Sequence, residues 1–344
     1  MERNRRIDLL KTIAIFGVVV IHMCGGGYNN PILSFDWISS VFWGSIARAS
    51  VPIFFMCSGA LLLSPQREFS LKKLYTKNLL RILVAMFVWA LAYKGYHLLV
   101  AGTLTVSACY HAVKEVLLFK HEFHLYYLHI LILVYVFLPV TRIFVKHASQ
   151  KELKYALMVW FVLGIVFPTV MPFWPFRLLS GIPIQWPMNM TYAAIGYGVL
   201  GYYLSCYPPK FPKRAIALSA AGFAVVFGLT VFMSVKSGSL YQNFLEGMSV
   251  GVAMLATGLF GLCQKISLRS DGKVLKGASK VSKAGFCIYL AHVFVMHFFD
   301  FLHISVSLLP TLISIPLLSV ANLLISLGCY WIASKIPVAN RWLV

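Results

Sequence analysis

Acidic side chains are scarce in this chain: 10 Asp and Glu among 344 residues, against 30 Lys and Arg. Charged residues of both signs make up only 12%, where a soluble globular domain carries about 25%. That excludes a soluble enzyme or binding module and leaves no stretch for a separate soluble domain. The seven cysteines, Cys24, Cys57, Cys109, Cys206, Cys263, Cys287 and Cys329, are scattered and lie mostly inside apolar runs. With no CxxC pair and no Cys/His spacing, neither a disulfide framework nor a zinc site is expected. P-loop, GxSxG and HExxH signatures are also missing, so no nucleotide loop, serine elbow or metal is expected. No small-residue cleavage site follows the basic and then apolar N-terminus, which reads as a first span rather than a signal peptide.

What is present is apolar: 60% of residues are hydrophobic and the mean hydropathy is +0.80. The pattern predicts an all-α polytopic integral membrane protein of about ten transmembrane helices. The spans run from about Ile7 to Gly25, Phe42 to Leu63, Leu80 to Val100, His124 to Val140, Tyr155 to Val170, Thr191 to Cys206, Ala215 to Val235, Ser249 to Cys263, Ala284 to Leu302 and Leu312 to Ile336. The formal charge of +20 does not indicate nucleic acid, because the Lys and Arg sit in short loops between apolar runs. Arg48, Lys94, Lys114, Lys120, Arg177 and Lys236 are the exceptions; the other 24 of 30 fall at alternate span ends. Both termini are therefore expected in the cytoplasm. Basic residues at membrane level also suit anionic lipid. Segment 101–123 is polar to amphipathic and is expected along the outer interface, and segment 171–190, rich in Pro and Trp, is too irregular to span and is expected there as a lid.

The most informative stretch is DLLKTIAIFGVVVIH, from Asp8 to His22. Asp8 and Lys11 are three residues apart, which allows an ion pair. His22 follows Lys11 by eleven residues, close to three turns, so Asp8, Lys11 and His22 are all expected on one face, with Lys11 and His22 about 16 Å apart. Ionisable residues inside a span usually face a bundle interior and mark function. The plainer alternative is that Asp8 and Lys11 snorkel to the interface and His22 anchors there. Arg48 lies inside the second span, shortly before Pro52, where a kink or break is expected. It needs a carboxylate, carbonyls or an anionic ligand, and a purely structural pairing is equally open. Ser58, His124, Tyr127, Tyr289 and His292 add further polar groups to the bundle. Tyr289 and His292 are neighbours on one helix face, and His297 is turned roughly 140° from His292.

These residues resemble the membrane acyltransferase-3 family. Lys11 and His22 match its basic-residue, ten-spacer, His motif. RASVPIFFMCSG (Arg48 to Gly59), HLYYL (from His124) and SKAGFCIYLAHVFVMH (Ser282 to His297) look like its VPLFFxxSG, HLWFL and SxxSxGIYxxH segments. The pattern is similar to that of the branch that acetylates enterobacterial common antigen. The resemblance covers most of the chain and implies one acyltransferase-3-like transmembrane domain over residues 1–344 in a bacterial cytoplasmic membrane. It implies transfer of an acyl group, usually acetyl, from acetyl-CoA to an extracytoplasmic glycan hydroxyl. It makes His22 catalytic and Lys11 its basic partner. The family's RxxR motif before span 3 meets Asn78 and Arg81 here, with Lys77 adjacent; a lysine offers a point charge without bidentate geometry.

The expected mechanism has donor phosphates meeting Lys73, Lys77 and Arg81. His22 acts as general base, or as a transient acyl carrier. Asp8 is expected to hold Lys11. Arg48, Ser58, His124, Tyr127, Tyr289 and His292 are supporting or acceptor-binding residues. A transporter or exporter of a small polar solute is the rival reading, since buried polar residues on broken helices also build pathways. The lack of an internal repeat and the few acids for ion coupling count against it. An uptake or sensor module, as in relatives fused to a soluble partner, ranks last.

Overall fold

The computed structural model describes residues 4–266 and 272–344. Arg3 and Arg269, both expected among the basic residues of the inner face, lie outside the described residues. Every regular element among the described residues is helical. Helix α1 covers Arg5–Gly27, and the Asn4 side chain caps it by accepting from the Ile7 N–H at 3.3 Å. Helices α2 (Phe35–Ala47) and α3 (Ser50–Leu62) form one apolar span interrupted at Arg48 and Ala49. The interruption has a local cause, because Pro52 has no N–H to donate to the Arg48 carbonyl four residues back.

Helix α4 (Leu71–Val100) carries a π-helical stretch at Leu74–Leu79. A short α5 (Val106–Leu117) follows, capped by Thr105. Lys94 ties α5 back to α4 through Glu115 at 2.7 Å. That hydrogen bond, and then the lysine's charge, holds the Glu115 carboxyl below its ordinary range. Next come α6 (Phe123–His147) and α7 (Gln150–Val170), the latter opened by a Ser149/Glu152 capping box. Segment 171–189 contains only short 3₁₀ turns, as its Pro and Trp content predicts. The chain continues through α8 (Met190–Cys206), α9 (Pro212–Ser237), α10 (Val250–Lys265), α11 (Lys273–Phe301), α12 (Thr311–Ala333) and the short α13 (Pro337–Trp342).

Nine helical spans among the described residues are long and apolar enough to cross a membrane, with α2 and α3 counted as one. The tenth expected span is α8, which has 17 residues, the short end of what crosses a bilayer. The fold is the all-α polytopic one that the hydropathy pattern predicts. Helix α1 is enclosed by α2, α3, α11 and α12. That position explains why this apolar helix can carry polar residues: they face protein and cavity, not lipid.

Helices α1 and α11 are parallel and stitched at their basic end. The Thr12 hydroxyl donates to the Ala278 carbonyl at 2.8 Å. Ser279 and Ser282 donate to the two Asp8 carboxylate oxygens at 2.8 and 2.9 Å. The expected Asp8–Lys11 ion pair is therefore not what the structure has. Three residues turn a helix by about 300°, so Asp8 points some 60° away from Lys11. That rotation delivers Asp8 to the α11 serines and leaves Lys11 to another surface.

Helices α3 and α8 meet backbone to backbone. A Cβ built on Gly59 falls 1.8 Å from the Gly198 carbonyl oxygen, and one on Gly201 falls 2.0 Å from that of Met56. Close approach of this kind is how membrane helices gain packing without a hydrophobic driving force. Gly59→Val is expected to destabilise the bundle. Overpacking costs about 1–3 kcal/mol where side chains can yield, and here the obstacle is backbone. A thermal melt in detergent measures it; a melting temperature equal to wild type contradicts the contact.

Candidate active site

One cavity of about 730 Å³ runs through the bundle beside α1. Lys11 and His22 both line it, and eleven residues of helix separate them by about 16 Å along the axis. The Lys11 end is completed by Asn78 and Arg81 from α4 and by Ser282 and Lys283 from α11. Among the described residues, three cations and no carboxylate face the cavity there. Arg81 is partly committed: it donates to the Val344 carbonyl and lies 5.4 Å from the centre of the Phe286 ring. Its buried Nε has no hydrogen-bond partner among the described residues.

The His22 end is walled by Tyr28, Arg48, Phe123, His124, Tyr126 and Tyr127, with Glu246 from the turn before α10. The imidazole of His22 meets the Phe123 ring edge-on at 5.3 Å. Tyr127 packs on Phe55 at 5.1 Å and on Tyr289 at 5.3 Å. The Tyr289 hydroxyl donates to the His124 carbonyl, which ties α11 to the start of α6. Ser58 lines the cavity, but its hydroxyl donates to the Phe54 carbonyl at 2.9 Å within its own helix. His292 stands behind His22, outside the wall, with ring centroids 5.0 Å apart. His297 is elsewhere, stacked on Tyr96 at 5.0 Å and facing His97 at 5.4 Å. Both imidazole nitrogens of His124 and the guanidinium Nε of Arg48 are buried without a partner among the described residues.

The structure thus gathers Lys11, His22, Arg48, Ser58, Arg81, His124, Tyr127 and Tyr289 into one cavity wall. Lys73 and Lys77 are exposed and outside it. Asp8 is buried against α11. Charge counting along the chain registers Lys73, Lys77 and Lys283 alike and cannot tell which of them faces a cavity. Sequence reasoning missed Tyr28, Glu246 and Lys283 as wall residues. Glu246 had a usable signal, as a rare acid in an outer turn. Among the described residues no group of three or more His, Cys, Asp or Glu is arranged to hold a metal ion.

This arrangement puts a histidine at one end of the cavity and three cationic side chains at the other. A family profile described as an acyltransferase domain matches residues 4–331. The chain belongs to the acyltransferase-3 family. It is a multi-pass membrane acyltransferase, as the resemblance implied. No curated protein and no solved structure matched it.

Proposed function

We propose that this acyltransferase moves an acetyl group from cytoplasmic acetyl-CoA to a hydroxyl of an extracytoplasmic acceptor, a cell-surface polysaccharide or lipid-linked sugar, in a bacterial cytoplasmic membrane. The observation that carries the reading is the shared cavity: Lys11, Arg81 and Lys283 line its basic end and His22 its opposite end. Phosphates of CoA are held at the cationic end, where Arg81 supplies charge-assisted hydrogen bonds. The pantetheine arm extends past Lys11, and the thioester reaches His22. A neutral His22 takes the proton of the acceptor hydroxyl while that oxygen bonds to the acyl carbon. The carbon–sulfur bond breaks, and the proton passes from His22 to the departing thiolate, giving CoA thiol. In the two-step variant the His22 nitrogen attacks the thioester and the carbon–sulfur bond breaks to release CoA thiolate; the acceptor hydroxyl then attacks the acyl-imidazole, the carbon–nitrogen bond breaks to restore His22, and the hydroxyl proton goes to the thiolate, giving CoA thiol. Arg48 and His124 supply the hydrogen bonds that an acceptor or the developing oxyanion requires.

The donor assignment has a specific test. Arg81→Ala is expected to raise KM for acetyl-CoA by about 10- to 100-fold, the worth of one charge-assisted hydrogen bond. KM for acetyl-pantetheine, which lacks the nucleotide phosphates, is expected to stay unchanged. Equal effects on both donors would remove Arg81 from phosphate binding. Absence of any acetyl-CoA-dependent labelling of surface glycans by wild-type membranes would count against the reading as a whole.

A further inference from the structure

His292 is fully buried and does not reach the cavity. Its Nδ1 lies 2.6 Å from the Tyr289 carbonyl oxygen of its own helix. A carbonyl only accepts, so Nδ1 carries the hydrogen, and in a neutral ring Nε2 is then left as an acceptor. That Nε2 is buried with no partner among the described residues. A buried acceptor left unsatisfied is costly. The ring beside it is His22, at a centroid distance of 5.0 Å and a tilt of 37°. An N–H···N bond of about 3 Å between two imidazoles puts their centroids roughly 5 Å apart. The separation already suits a bond that a ring rotation of His22 completes.

We infer that His292 is the positioning residue of His22: its Nε2 accepts the N–H of His22, which fixes the His22 tautomer and leaves the other His22 nitrogen as a lone pair facing the cavity. The inference rests on the acyl-transfer reading above. It supplies what a histidine base needs, a third group that orients it. Among the described residues no carboxylate pairs with His22.

The surroundings of His292 are built to hold it still. Asn322 of α12 donates to the His292 carbonyl at 2.9 Å, and Ser326 donates to the Asn322 amide oxygen at 3.1 Å. From α4, the Tyr93 hydroxyl donates to the Leu290 carbonyl at 2.8 Å and accepts from the Phe294 N–H at 3.2 Å. Those two backbone groups are i and i+4 partners of one helical turn. The tyrosine therefore braces the turn that contains His292 from one side, and α12 pins it from the other. The perpendicular His124 ring, 5.4 Å away, is the other imidazole within reach.

The test compares purified wild-type enzyme with His292→Phe, His292→Gln and His22→Ala, matched for folded protein by size exclusion and thermal melting. His292→Phe is expected to lower kcat on the order of 100-fold or more with KM for acetyl-CoA unchanged. His292→Gln, whose amide oxygen can accept from His22, is expected to recover at least about tenfold over His292→Phe. A folded His292→Phe enzyme with wild-type kcat overturns the inference. So does His292→Gln no better than His292→Phe at equal melting temperature, or a change confined to KM. If His292→Phe does not fold, His292→Met replaces it, being unbranched and lacking a comparable acceptor. Activity of the wild type and its loss in His22→Ala are read in the same preparations. A working His22 with a silent His292 therefore defeats this inference alone, and an inactive wild type defeats the reading on which it rests.

Discussion

His22→Ala is expected to lower acetyl transfer by about 10²- to 10⁴-fold, the range that a positioned general base contributes. The amount and melting temperature of folded protein are expected to change little. His22 lines a cavity, so its removal enlarges existing space and does not open a void in packed core. Lys11→Ala acts at the other end of the same cavity and is expected to raise KM for the donor more than it lowers kcat. The contrast between two residues of one helix is the informative part. Uniform loss in both variants would point to damage of α1. Full activity in His22→Ala would transfer the base role to His124, the other histidine in the cavity wall among the described residues. The two chemical routes through His22 separate in a single turnover: labelled acetyl-CoA mixed with enzyme alone leaves acyl-enzyme in the covalent route and none in the direct one.

The fold was legible because hydropathy and basic loops are one-dimensional signals of membrane insertion. The site was legible only where one helix carried it. Lys11 and His22 share a face by helical arithmetic, and they share the cavity. Asp8 is about 60° off that face, and its partners Ser279 and Ser282 lie more than 270 residues along the chain, so spacing within α1 could not find them. Lys73 and Lys77 looked like donor ligands because charge was counted by loop; which of a loop's lysines faces a cavity is decided by how α4 and α11 pack. Nothing in the sequence pattern marks Tyr93 as the residue that reaches the α11 backbone, because a hydroxyl contact between helices leaves no periodicity. Helix packing likewise puts the His292 ring beside His22 and the His297 ring against Tyr96, which counting along one helix could not show.

Arg48→Met is expected to make the protein more heat-stable and less active, an opposition of signs that a structural residue does not produce. No carboxylate pairs with Arg48 among the described residues, and its buried Nε has no partner there. The acid on the same wall is Glu246, exposed in the outer turn and not within ion-pair distance. An arginine inside a membrane span costs about 2.5–3.5 kcal/mol on insertion scales, and methionine recovers part of that while filling similar space. On the proposed acyl-transfer reading, the cation beside His22 meets negative charge that arrives during the reaction. If that charge is the oxyanion of the transition state, kcat falls on the order of 100-fold for every acceptor, the effect of removing one oxyanion donor. If it belongs to the acceptor, KM rises for anionic glycans and stays constant for neutral ones. Arg48→Lys separates charge from geometry in either case, since lysine keeps the charge and loses the planar fork. A melting temperature below wild type together with a proportional loss of activity would instead assign Arg48 to holding the α2–α3 break.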